Sequence, residues 1–251
     1  YKNPQSEVTI AMCGKYTELI DSYKSVMEAF VHAGVENNAR VNIKWIQTEK
    51  IKNLKDVEKV FPNINGVLIL PGFGSRGSEG KIKIVKYSRE NKVPFLGICL
   101  GLQCAVIEFA RNVCKMQGAN STEFNSKTQY PVIDLMESQR AIKIKGGTMR
   151  LGAYECEIKV GTKAFSAYRT KKISERHRHR YEVNNRYKKT LEKNGMVFSG
   201  INQELRVVET IEVKNHPWFI ASQFHPELKS RINKAHPLFR EFIKAAVKNS
   251  L

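Results

Sequence analysis

The chain has 251 residues, 41% of them hydrophobic, enough to build the core of one α/β domain. No apolar run reaches the ~18 residues that a membrane-spanning helix needs. The formal net charge is +18, from 42 Lys and Arg against 24 Asp and Glu. A surplus of that size favours polyanions, but the basic residues are spread along the whole chain and read as lysines on solvated helix faces.

Tyr1 stands where a Met would, so the chain reads as a segment of something longer or as an incomplete record of its start. Residues 1–6 have no apolar signal core and read as linker; residues 7–251 read as one domain. Val8–Met12 is a short apolar run ending at Gly14 and predicts a buried strand. A helix follows, with Asp21 as its cap, Val26, Ala29, Phe30 and Ala33 at helical spacing, and Gly34 closing it. Val41–Trp45 alternates and predicts a second strand. Gly66–Leu70 is wholly apolar and runs into Pro71-Gly72-Phe73-Gly74. Ile82, Val85 and Tyr87 then fall on a helix. Val93–Ile98 predicts another strand, followed by Cys99 and a helix through Val113.

From about residue 125 to 215 the pattern changes. Ala141–Lys145, Tyr154–Val160, Met196–Gly200 and Leu205–Val213 predict antiparallel strands set against the main sheet. Phe219–Phe224 returns as a core strand. Pro237 opens a last helix, with Phe239, Phe242, Ile243 and Val247 inward. Strands alternating with helices imply a mostly parallel α/β sheet, with helices on both faces and a small antiparallel region beside it. Function in such sheets sits at the carboxyl ends of the strands. Both glycine-rich loops, after Leu70 and around Cys99, fall there.

The five cysteines, Cys13, Cys99, Cys104, Cys114 and Cys156, are odd in number and irregular in spacing. They form no CxxC pair and no Cys/His cluster at zinc spacing. The expectation is a reducing, cytoplasmic setting with no metal site. Cys99 differs from the rest. Gly97-Ile98-Cys99-Leu100-Gly101 lies between a strand and a helix, which is the form of a nucleophile elbow. Flanking glycines permit the tight turn, and the helix start favours thiolate. The plain alternative is a buried cysteine at a strand end. A thiolate needs a base and a group to orient that base. His225 follows a predicted strand, and Glu227 two residues on can hold its imidazole in one tautomer. The N–H groups of Leu100 and Gly72 can share an oxyanion hole.

Together these residues resemble the triad-type, class I glutamine amidotransferases, a flavodoxin-like α/β family. Within that class, several strings resemble the glutaminase domains of CTP synthases. These are Gly97–Gln103, Glu108–Asn112, Ala119–Phe124, 147–152, Glu175–Asn184 and Gln223–Glu227. The resemblance runs from about Val8 into the last helix. It implies that Cys99 attacks the glutamine amide and forms a thioester, that His225 moves protons, and that Glu227 orients His225. It implies an oxyanion hole of Gly72 and Leu100. It gives Gly72, Phe73, Gln103, Glu123 and Arg180 to glutamine binding, with Glu123 suited to an α-ammonium and Arg180 to an α-carboxylate. Arg76, Gly77 and Glu79 match a loop that responds to the activator GTP.

The resemblance further implies L-glutamine as substrate and a CTP synthase synthetase domain, in cis or in trans, as the acceptor of ammonia. ATP, UTP, Mg2+ and GTP belong with that second domain, and none is expected as a cofactor of this one. The chain has no GxxxxGK[ST] loop of its own. A monomer is expected for the domain alone and a tetramer for the full enzyme.

Two positions depart from the family pattern. The loop Pro71–Gly74 is one glycine shorter than the common Pro-Gly-Gly-Phe-Gly, which bears on the register of the oxyanion donor. Leu228 stands where Phe is frequent, a change expected to touch packing. Other readings stay open. Another class I amidotransferase or a γ-glutamyl hydrolase would use the same scaffold and differ in the amides accepted. Arg176-His-Arg-His-Arg180 could be a nucleic-acid patch or a solvated turn, as in a non-catalytic module; it lacks interleaved aromatics apart from Tyr181. Retention of Cys99, His225 and Glu227 together argues against such a module, so neither nucleic acid nor membrane is expected as a partner.

Overall fold

A computed structural model of the chain describes residues 3–15, 20–135 and 149–250. The continuous apolar runs become the centre of one nine-stranded sheet. β1 (Ser6–Gly14), β3 (Gly66–Ile69), β4 (Phe95–Ile98) and β12 (Phe219–Ser222) lie side by side and parallel, with β2 (Ala39–Gln47) outside β1. Every residue of β3, β4 and β12 is buried, because helices cover both faces.

The two-residue period of the strands sorts the core. On one face Ile10, Met12, Leu68 and Ile98 pack with α1 (Lys24–Glu36) and α7 (Pro237–Asn249), where Phe30 meets Phe239 edge-on at 5.2 Å between ring centroids. On the other face Cys13, Val67, Ile69 and Phe95 pack with α2 (Leu54–Val60), α3 (Ser78–Glu90) and α4 (Leu100–Asn112). Val247 of α7 is half-buried beside the first cluster.

The antiparallel strands are not a separate layer. β11 (Val207–Val213) pairs with β12, and β10 (Met196–Asn202), β7 (Arg150–Ile158) and β8 (Lys172–His179) follow outward, so they extend the main sheet. Pairing with β11 satisfies the backbone groups that the edge of β12 would otherwise leave open. The small separate sheet consists of β5 (Asn120–Ser121), β6 (Pro131–Leu135) and β9 (Tyr181–Val183). The strand expected over Ala141–Lys145 lies outside the described residues. Two short helices complete the order among the described residues, α5 (Lys163–Tyr168) and α6 (Lys188–Lys193).

Several local expectations change. Asp21 does not cap α1; it sits in a 3-10 turn, Ile20–Tyr23, and Tyr23 precedes the helix without a side-chain cap. Gly34 lies inside α1, and the chain reverses at Asn38, whose φ is 51°. Gly34 serves packing instead: a Cβ there would stand 2.6 Å from the Ala39 carbonyl oxygen at the start of β2. β1 already begins at Ser6, the last residue read as linker. α2 was not anticipated, although Asn53 and Asp56 form a reciprocal capping box at its start. Nor was β8, which takes in most of the Arg176–Arg180 string; it is a strand, not a solvated turn.

Candidate active site

The elbow forms because backbones come closer here than a Cβ allows. A Cβ on Gly97 would lie 2.8 Å from the Gly101 carbonyl carbon, and one on Gly101 would lie 2.7 Å from the Ile69 oxygen. Between them Cys99 takes φ 53° and ψ −99°, a conformation that non-glycine residues seldom adopt. The Cys99 N–H donates to the Ser222 oxygen at 2.7 Å, which ties the turn to β12. Leu100 is the first residue of α4, so its N–H has no acceptor within the helix.

His225 reaches the same place from the end of β12. Its backbone N–H donates to the Arg176 oxygen of β8 at 2.8 Å, and Phe224 before it is fully buried. The 3-10 turn Pro226–Lys229 then brings Glu227 round, and Nδ1 of His225 lies 2.7 Å from Glu227 Oε1. Nε2 is buried without a fully formed hydrogen bond and faces Cys99. Burial opposes charge on this imidazole. Hydrogen bonding and charge from Cys99 and Glu227 outweigh it and push the His225 pKa up to about 10. A cavity of about 280 Å³ opens on the group, walled by Gly72, Phe73, Cys99, Arg178, His225 and Glu227. Leu228 also lines it, 41% exposed, so this departure bears on the pocket wall as well as on packing.

Gly72 sits beside the elbow despite the shorter loop. A Cβ on it would be 3.5 Å from Leu100 Cδ2. Phe73 is 41% exposed, and its carbonyl accepts from Lys15 Nζ. The Gly74 N–H donates to Glu123 Oε1 at 2.7 Å. Burial raises the Glu123 pKa, offset in part by that N–H and by the charges of Lys15 and Arg180. Glu123 and Arg180 therefore share one electrostatic neighbourhood. Gln103 is buried, with Nε2 donating to the Tyr181 oxygen at 3.1 Å and to Gln223 Oε1 at 3.4 Å. None of Gln103, Glu123 and Arg180 walls the Cys99 cavity; they gather around Gly74 and Tyr181. Gln223 joins the two groups, since its Nε2 lies 3.7 Å from Cys99 Sγ.

The loop after Gly74 is held from within. Arg76 pairs with Glu49 at 3.1 Å, and Glu79 pairs with Arg111 of α4 at 2.9 Å. Gly77 precedes α3 with φ 74°, where a Cβ would strike Thr48 Oγ1 at 2.5 Å.

Sequence reasoning did not single out Arg178, Gln223 or the buried ionic network behind the site. Arg178 had a signal in hindsight. Along β8 the arginines alternate outward and the histidines inward, with His177 and His179 3% and 1% exposed. Those histidines meet a cluster drawn from four strands. Buried Arg150 bonds Glu182 and Glu209, each at 2.9 Å; His177 lies 3.5 Å from Glu209, and His179 2.9 Å from His177. Burial pushes the Glu182 and Glu209 pKa values up to about 8 and about 7, against the pull of Arg150.

Residues 18–245 match the family described as glutamine amidotransferase class-I, and the chain belongs to that family. Its relatives narrow the class. The CTP synthase of Pelodictyon phaeoclathratiforme is 60% identical over 98% of this chain, and the chain spans 44% of that protein's length. The CTPS glutaminase domain of Trypanosoma brucei, solved with acivicin bound, is 34% identical; it covers 96% of this chain, with 94% of its own length matched and a TM-score of 0.90. Within the class the chain is thus a glutaminase domain of the CTP synthase type. A glutamine amidotransferase from Thermotoga maritima, at 12% identity and TM-score 0.53 over 97% of this chain and 97% of its own, shares the fold.

Proposed function

We propose that the chain hydrolyses L-glutamine and delivers the ammonia to a synthetase domain that aminates UTP to CTP with ATP. The observation that supports this most is the strained Cys99 facing a His225 imidazole whose other nitrogen Glu227 holds at 2.7 Å. The Cys99 sulfur attacks the side-chain amide carbon. The carbonyl oxygen becomes an oxyanion between the N–H groups of Gly72 and Leu100. His225, protonated at Nε2, gives that proton to the departing ammonia as the C–N bond breaks and a thioester remains. His225 then takes a proton from water, the hydroxide adds to the thioester, and glutamate leaves as the C–S bond breaks.

Glu123 and Arg180 carry opposite charges in one neighbourhood, as the α-ammonium and α-carboxylate of an amino acid require. Gln103 and Phe73 complete the glutamine site, and Arg76, Gly77 and Glu79 form the loop through which GTP acts. This domain works without a cofactor of its own; ATP, UTP, Mg2+ and GTP come with the synthetase domain, in cis or in trans. The domain alone is a monomer, and the full enzyme a tetramer. A cytoplasmic setting agrees with the five cysteines, which are all free. Neither nucleic acid nor a membrane is a partner in this reading; no helix among the described residues is long and apolar enough to cross a membrane.

The test is mass spectrometry after exposure to diazo-oxo-norleucine, with glutamine as competitor. One adduct, on Cys99 and blocked by glutamine, is expected. Labelling scattered over the five cysteines would sink the reading.

A further inference from the structure

Among the described residues Lys81 is the only lysine with no exposed surface. Buried lysines are rare unless paired, and among the described residues no carboxylate forms an ion pair with it; its hydrogen bond goes to a backbone carbonyl. Its Nζ donates to the Leu70 carbonyl at 3.1 Å, just before the Pro71-Gly72 turn. A Cβ on Gly72 would lie 3.8 Å from that Nζ. Its Nζ therefore sits directly behind the loop that offers one of the two oxyanion donors; burial, with the charge of Lys15, lowers the Lys81 pKa, and the neighbouring sulfurs, Cys99 among them, pull the other way.

The start of α3 fixes it there. Gly80 packs on the turn Thr48–Lys50 so closely that a Cβ would stand 1.9 Å from the Thr48 oxygen. The ionisable groups facing Lys81 are Cys104 of α4, Lys15 and Cys13 at the end of β1, and Cys99. Burial holds Cys13 and Cys104 as neutral thiols, with Cys104 pushed up to about 12. Lys15 adds positive charge. Cys99 is the one facing group at which the reaction itself creates negative charge.

We propose that Lys81 is a positioning residue of the glutaminase centre: it fixes the Leu70 carbonyl so that the Gly72 N–H is aimed beside that of Leu100, and it supplies the positive charge against which Cys99 and the oxyanion become negative. The inference rests on the glutaminase reading and adds to it a residue outside the triad and the oxyanion hole.

Two variants separate its parts. Lys81→Met removes charge and donor, whereas Lys81→Gln keeps a donor without charge. Glutamine kcat and KM are measured with the rate of Cys99 alkylation by iodoacetamide across pH. For Lys81→Met we expect kcat to fall about 10²-fold with KM within about threefold. Alkylation at neutral pH should slow about tenfold and its rise should move to higher pH. Lys81→Gln should recover part of kcat and keep the displaced alkylation profile. A Lys81→Met protein with the wild-type alkylation profile and kcat within about twofold overturns the proposal.

If the variants do not fold, the wild type still decides. An NMR titration of the lysine ε-carbons, before and after Cys99 is alkylated, should show Lys81 losing its proton at lower pH once the sulfur is capped. An unchanged titration overturns the proposal. Absence of glutamine turnover in the wild type would count against the glutaminase reading instead, and the alkylation and NMR arms would still judge Lys81.

Discussion

Of the histidine–glutamate contacts among the described residues, two, in separate clusters, drive the imidazole in opposite directions. His225 has Glu227 at 2.7 Å and a pKa pushed up to about 10. His177 has Glu209 at 3.5 Å, yet its pKa is pushed down to about 3, by burial first and then by the charge of Arg150. The difference lies in who holds the carboxylate. Glu209 is bonded to Arg150, so His177 meets a neutralised acid and a guanidinium. Glu227 makes no ion pair except with His225 among the described residues, and the second nitrogen of His225 faces a reactive sulfur. A histidine–glutamate contact alone thus does not mark catalysis. The open cavity and the unclaimed acid do.

The largest effects should separate the clusters by readout. His225→Gln is expected to lower kcat on the order of 10⁶-fold while the fold persists, and Glu227→Gln about 10⁴-fold, since the orienting acid costs less than the base in comparable triads. Steady-state kinetics with a thermal melt checks both. Loss of folding with kcat per folded molecule retained would erase the distinction between the clusters.

Arg150→Met tests the other side. It leaves Glu182 and Glu209 without their cation in the interior, which should destabilise the fold by about 3–5 kcal/mol. Urea unfolding measures that loss. The fraction still folded should label at Cys99 nearly as wild type does. A stable Arg150→Met protein that no longer labels would move the network into the chemistry.

The catalytic cluster was legible from the sequence because its causes are local. Glycines at 97 and 101 and an acid two residues after His225 are short-range signals, and the apolar strands announce the sheet that carries them. The structural cluster was not legible. Arg150, His177, Glu182 and Glu209 come from four strands and meet only when β7, β8, β9 and β11 have assembled. The strand β8 hid for a related reason. Its buried residues are Glu175, His177 and His179 and its outward ones Lys172, Ser174, Arg176 and Arg178, so the alternation carries little hydropathy contrast. Lys81 looks like any lysine on a helix, and the close packing of Gly80 on Thr48 beside it is a tertiary contact that its sequence neighbours do not announce. Asp21 failed as a cap because the chain inserts a 3-10 turn before α1, a choice that its immediate neighbours do not encode.

The finest comparison is in pH. His177 is held well below the usual imidazole value of 6.5, so the folded chain refuses a proton that the unfolded chain accepts. Its contribution to stability is present above about pH 6.5 and is lost as pH falls toward 3, by up to roughly 1.4 kcal/mol per pH unit. His225 is held above 6.5, so its contribution is full below that pH and is lost as pH rises toward about 10. Glu182 and Glu209, both raised, take stability away as pH rises from about 4.5 to about 8. That background is common to wild type and to histidine variants and drops out of the difference. Urea unfolding across pH should therefore show His177→Gln losing less stability in acid than wild type. His225→Gln should trail wild type most at neutral and lower pH, with the gap closing as the solution becomes alkaline. Parallel curves for either variant would mean that its histidine does not titrate apart from the unfolded chain, and the contrast between the clusters would not be electrostatic.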